Sequence, residues 1–152
     1  MKIGENVPNF SATTHENETI SSDALKGQAY LLFFYPRANT SGCTKEAIGF
    51  TELLPEFENL GAIIVGMSPD PVKKHDKFRD KHDLAVTLLS DADSDVCERY
   101  GVWVEKNMYG KKYMGIERAT YLIDAQGKIA QIWRKVRVPG HVDAVLEATQ
   151  AL

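Results

Sequence analysis

Residues 29–50 read AYLLFFYPRANTSGCTKEAIGF. The run opens with seven consecutive apolar residues, Ala29 to Tyr35, and is stopped by Pro36. A short, continuously apolar run suits a strand buried on both faces. Downstream of a polar turn, Ala47, Phe50, Leu54 and Phe57 recur at steps of three and four residues, which predicts one face of a helix over 41–59. Pro55 falls inside that pattern and is expected to kink the helix or end its regular part. A second apolar run, AIIVGMS at 62–68, then predicts another buried strand. Strand, helix and strand in this order require a crossover, and crossovers pair strands in parallel.

Outward from this unit the pattern continues. Asp70-Pro71 predicts an N-cap followed by proline at the first helical position, opening the charged helix VKKHDKFRDKH. VTLLSD (86–91) predicts a third strand, and SDVCERYG a short helix that closes at Gly101 and is capped by the preceding aspartates. EKNMYGKKYMG is polar and punctuated by glycine, so a loop or hairpin is expected there. Two alternating segments flank Ala125-Gln126-Gly127 and predict a hairpin over 119–136. HVDAVLEATQAL closes the chain as an amphipathic helix with Val142, Val145, Leu146 and Thr149 on one side. The expected fold is α/β, a central mixed sheet with helices on both faces.

At 152 residues one domain over 1–152 is the default. A net charge of −3 gives no electrostatic footprint for nucleic acid. No apolar run approaches the length of a membrane span, and the N-terminus lacks the apolar core of a signal peptide, so a cytoplasmic location is expected. Two cysteines in that setting argue against a structural disulfide. No Cys-x-x-Cys is present, and the acidic run DADSD lacks the glycine and glutamate of a calcium loop, so neither a metal nor a cofactor is expected. His15, His75, His82 and His141 are expected at the surface, and Trp103 and Trp133 in the core.

Cys43 is the candidate for chemistry. It lies four residues before Ala47, on the buried stripe, and also in the first helical turn, where unpaired backbone N–H groups gather. Anions are favoured at that end of a helix, which predicts a raised thiolate fraction. Pro36 fixes the exit from the strand. The Thr40 hydroxyl, three residues before the sulfur, can cap the helix or bond to sulfur or substrate. Local physics alone leaves two readings open, a reactive thiol and a small core cysteine.

YPRANTSGCTKE resembles the active-site segment of the peroxiredoxins, Pro-x-x-x-Thr-x-x-Cys, and is most similar to their bacterioferritin-comigratory or Q group. VPNF, LLSD, YGV, GKKYMGIERATYLID and a tryptophan in the last strand follow in family order, so the resemblance spans nearly the whole chain. It implies a thioredoxin-like fold and a thiol peroxidase in which Cys43 is peroxidatic, with Pro36, Thr40 and Arg118 beside it and Glu46 supporting the arginine. It also implies a sulfenic acid on Cys43 that a thiol must reduce. The two familiar resolving positions hold no cysteine here: one is Ile48, and the other falls in VKKHDKFRDKH. Cys97 remains a possible resolving thiol. The alternative is a one-cysteine route with thioredoxin, or glutathione with glutaredoxin, as external reductant. A monomer is expected by the same resemblance. Competing readings are a thiol-disulfide oxidoreductase, which would need a second cysteine where Thr40 stands, and a redox sensor using Cys43 as a switch.

Overall fold

A computed structural model describes residues 1–152. The elements run in order β1 (Ser11–Thr14), β2 (Thr19–Ser21), β3 (Ala29–Phe34), α1 (Ser41–Asn59), β4 (Ala62–Ser68), α2 (Val72–His82), β5 (Thr87–Ser90), α3 (Val96–Arg99), β6 (Trp103–Met108), β7 (Lys111–Ile116), β8 (Ala119–Ile123), β9 (Ile129–Trp133) and α4 (His141–Gln150). Seven strands form one sheet in the order β2-β1-β5-β4-β3-β8-β9, and β6 and β7 form a separate hairpin. As expected from the crossovers, β3, β4 and β5 are mutually parallel. β8 lies antiparallel to β3 and continues into β9 as the expected hairpin. Its turn is set by the Asp124 carboxylate, which accepts from the N–H groups of Gln126 and Lys128, with Gly127 in the left-handed region.

Alternation along β3 explains why its sequence is continuously apolar. Leu31 and Phe33 face one core with Phe50, Phe57, Phe78 and Val145, while Tyr30, Leu32 and Phe34 face the other with Val96, Tyr100 and Tyr121. The three long helices α1, α2 and α4 therefore cover one face. Short α3 and the N-terminal segment around Phe10 cover the second. Gly66 on β4 is a close-approach position: an added Cβ would stand 2.6 Å from Phe33 Cζ and 2.9 Å from Leu88 Cδ2.

Two local expectations change. The helix α1 runs through Pro55 to Asn59. Proline this near the C-terminus forfeits one backbone bond, and the burial of Phe57 beyond it holds the last turn in place. At α2 the cap position is Pro71, not Asp70, and no side chain caps the helix. Asp70 instead turns its carboxylate back toward the loop after β3, where it accepts from the Ala38 N–H at 2.7 Å and the Ser68 hydroxyl at 2.8 Å.

Candidate active site

The loop between β3 and α1 is fixed at both ends before it reaches Cys43. Asn39 adopts a left-handed conformation, the Thr40 hydroxyl donates to the Arg37 carbonyl at 2.8 Å, and Asp70 holds the Ala38 N–H. Thr40 is the N-cap residue by backbone conformation, and its carbonyl accepts from Thr44 N at 2.9 Å. Ser41, Gly42 and Cys43 thus carry the N–H groups that have no partner inside the helix. The Thr40 hydroxyl spends its proton on Arg37 and makes no bond to sulfur.

Cys43 is 1% exposed, yet its sulfur meets a cation. Arg118 stands in the two-residue link between β7 and β8, anchored by its own carbonyl accepting from Val136 N at 3.0 Å and by Glu117 N donating to Val102 O at 2.8 Å. Its side chain crosses to α1 and forks. Nη2 donates to Cys43 Sγ at 3.3 Å, and Nη1 donates to Glu46 Oε1 at 2.8 Å. Cys43 and Glu46 are three residues apart, on one side of the helix, so one guanidinium spans both. A planar fork with a permanent charge suits that task better than an ammonium would. Burial works against the Arg118 charge, but Glu46 and then Cys43 outweigh it and raise its pKa above the ordinary value.

Glu46 is wholly buried. Burial pushes its carboxyl up to about 7, against the opposing pull of Arg118. Its second oxygen, Oε2, has no hydrogen-bond partner, and His141 Nε2 stands 3.9 Å from it. His141 is not a surface residue. Its ring packs edge-on against Phe50 and Trp133, and Nε2 pairs with the Thr120 hydroxyl at 2.8 Å. Burial, then Arg118, holds its pKa down to about 4, so the ring is neutral near pH 7.

A second buried histidine braces the loop from behind. His75 of α2 is sealed in the core, and its Nε2 bonds the Ser68 hydroxyl at 2.8 Å, which also reaches Asp70. Burial lowers its pKa to about 4, with Asp70 opposing. His15 is only partly covered, and burial lowers its pKa as well. Ser68, Asp70 and His75 therefore form a polar bracket between the end of β4 and the Cys43 loop.

In front of the loop lies a cleft of about 610 Å³ whose walls include Pro36, Thr40, Lys106, Met108 and Tyr113. Trp103 lines it too and is 40% exposed, so it belongs to the cleft and not to the core. Lys106 is partly desolvated. Burial, followed by Arg118, lowers its pKa, while Cys43 opposes that shift.

Cys97 is elsewhere. Expected one step off the buried stripe of α3, it is 3% exposed and packs in the core on the far face of the sheet from Cys43. The turn before it is capped as expected: Asp91 accepts from the N–H groups of Val96 at 3.0 Å and Cys97 at 2.8 Å. Burial, and then Asp91, pushes the Cys97 thiol far above its ordinary pKa.

Residues 3–132 match the AhpC/TSA family. Among curated proteins, the chain is 50% identical over 128 residues to Peroxiredoxin Bcp of Xanthomonas campestris, covering 84% of this chain and 80% of that protein. It is 42% identical over 147 residues to Peroxiredoxin Bcp of Bacillus subtilis, covering 97% and 94%. Among solved structures, the Xanthomonas campestris bacterioferritin comigratory protein, studied for alkyl peroxide reduction, superposes with a TM-score of 0.89 at 44% identity over 93% of this chain and 90% of that one. A PrxQ variant from Xylella fastidiosa superposes with a TM-score of 0.94 at 37% identity over 99% and 96%.

Proposed function

The chain belongs to the AhpC/TSA family and is a thiol peroxidase of the Bcp peroxiredoxin type, and from that premise we propose that Cys43 is its peroxidatic residue, assisted by Arg118, Thr40 and Pro36. The observation that carries this reading is the Arg118 fork: its Nη2 donates to Cys43 Sγ at 3.3 Å, which puts a permanently charged hydrogen-bond donor on the sulfur. Peroxide enters by the cleft beside Pro36 and Thr40. The thiolate sulfur donates an electron pair to one peroxide oxygen, an S–O bond forms, and the O–O bond breaks. The departing oxygen leaves as water or an alcohol once it has gained a proton. Arg118 and the free N–H of Cys43 are placed to stabilise the charge moving onto the peroxide oxygens. The Thr40 hydroxyl has to exchange its Arg37 partner for peroxide to take part.

The product is a sulfenic acid on Cys43, which a thiol reduces through a mixed disulfide with loss of water. We assign that thiol to an external reductant, glutathione with glutaredoxin or thioredoxin acting directly. The position of Cys97, across the sheet, supports a one-cysteine route over a resolving role for that residue. No helix is long and apolar enough to cross a membrane. We propose a monomeric, single thioredoxin-like domain working in the cytoplasm without a metal or other cofactor. Stopped-flow peroxide consumption with the reduced protein tests the assignment. Cys43→Ser should reduce consumption to background while Cys97→Ser stays close to wild type; a Cys43→Ser protein with full activity would overturn it.

A further inference from the structure

Glu46 Oε2 is sealed from solvent and accepts no hydrogen bond, whereas Oε1 is held by Arg118. A buried carboxylate with one oxygen unpartnered is costly, and a carboxylic acid in the same place is much less so. The ionisable groups around it come from every neighbouring element. Cys43 lies one turn earlier on α1, Arg118 ahead of β8, His141 at the start of α4, Tyr35 after β3, and Lys106 on β6 beside Arg118 and Cys43. With Cys43 and Glu46 both ionised, Arg118 would sit in a buried trio of net charge about −1; with one of them protonated, the trio is neutral.

We propose that Cys43 and Glu46 share one proton across the Arg118 fork, so that Glu46 holds it while the sulfur is a thiolate and releases it when the sulfur becomes a neutral sulfenic acid. The proposal rests on the peroxidatic reading of Cys43. The step balances as follows: Glu46 carboxylic acid, Cys43 thiolate and ROOH give Glu46 carboxylate, Cys43 sulfenic acid and ROH. Sulfur loses two electrons to the breaking O–O bond, and the proton that Glu46 releases offsets the one that the alkoxide takes up. Arg118 keeps one anionic partner throughout, first sulfur and then carboxylate. Glu46 touches neither sulfur nor peroxide and acts through Arg118, so it is a positioning residue. Burial holds its carboxyl near 7, in the range where such an exchange is available. His141 is neutral there, and Tyr35 stays protonated because burial raises its pKa, so neither competes for the proton.

The test is the proton balance of oxidation. Reduced wild type and Glu46→Gln are each mixed with one equivalent of hydrogen peroxide at pH 7 in weak buffer with an indicator dye. Intact mass and dimedone labelling report Cys43 oxidation in the same samples. Wild type should take up almost no proton from solvent, and Glu46→Gln about one per sulfenic acid formed. Infrared difference spectra of wild type should show a carboxylic-acid C=O stretch lost on oxidation and carboxylate bands gained. Should the Gln variant fail to fold, that wild-type spectrum decides. A wild type that takes up a full proton per oxidation, or whose carboxylic-acid region is silent, overturns the shared proton while leaving the peroxidatic assignment intact. An unoxidised Cys43 overturns both.

Discussion

Cys43 and Cys97 lie against opposite faces of the seven-stranded sheet, Cys43 among Phe33, Ala47 and Phe50 and Cys97 among Phe34, Val96 and Tyr100. A disulfide requires Cα atoms within about 7 Å. Meeting that limit here would mean dragging α1 or α3 past β3, a buried strand paired on both sides. One equivalent of peroxide should therefore add one oxygen to Cys43 and form no internal disulfide. Intact mass under denaturing conditions checks this, and a loss of two hydrogens that disappears in Cys97→Ser would contradict it.

Arg118 is predicted to matter more for the rate with peroxide than for folding. Arg118→Met removes the only cation bonded to Cys43 Sγ and leaves Glu46 buried without its donor. The second-order rate with peroxide should drop by about 10²–10³, the usual cost of losing a charge-stabilising donor. Arg118→Lys should recover only part of this, because an ammonium cannot bond sulfur and carboxylate with a planar fork. A wild-type rate in the Met variant would remove Arg118 from the site.

Much of this arrangement was legible in the sequence, and the misses have physical causes. The apolar run 29–35 and the stripe Ala47-Phe50-Phe57 announce β3 and α1 because burial on two faces and on one face leave different periods. The Arg118–Glu46 bond joins residues 72 apart in sequence, and no local pattern encodes it; the family resemblance alone brought Arg118 to Cys43. Residue type argues for surface histidines, although their spacing holds the opposite signal. His141 precedes the buried Val145 by four residues and Thr149 by eight, and His75 precedes buried Phe78 by three. Trp103 fails the other way: its size argues for the core, but the hairpin β6–β7 stands off the main sheet and leaves it at the cleft.

Those histidines set a pH dependence of stability. His75 and His141 are held down to about 4 from an ordinary 6.5, so between these values the unfolded chain binds protons that the folded chain refuses, and stability rises with pH. Glu46, held up to about 7 from 4.5, acts in the opposite sense, because the folded chain keeps a proton that the unfolded chain has lost. Between about 4.5 and 6.5 His75 and His141, joined by His15, whose pKa burial also lowers, oppose one glutamate, leaving a net slope of at least about 1.4 kcal/mol per pH unit in favour of higher pH. Urea unfolding across this window measures it. His75→Gln should remove one proton from the difference and lower the slope by about 1.4 kcal/mol per pH unit, whatever its effect on absolute stability.

Two glycines separate packing from chemistry. Gly66→Ala would drive its methyl to 2.6 Å from Phe33 Cζ in the middle of the sheet, where neither β4 nor the ring can yield cheaply. Overpacking of this kind costs about 1–3 kcal/mol, so the urea midpoint should fall. Gly42→Ala differs in kind. Position 42 is in the first turn of α1, where alanine favours the helix by about 0.5–1 kcal/mol over glycine, so stability should hold or rise. Its Cβ would nevertheless stand 3.1 Å from Arg118 Nη2, the nitrogen that donates to Cys43 Sγ. The guanidinium is pinned by Glu46 on its other arm, so it can retreat only by lengthening the bond to sulfur. A displacement of a few tenths of an ångström should lower the peroxide rate by about tenfold, scaling down from the hundredfold cost of a full ångström. Stopped-flow kinetics and urea unfolding on the same sample make the comparison. A Gly42→Ala protein with wild-type kinetics would mean that Arg118 has slack, and that the sulfur does not depend on its exact placement.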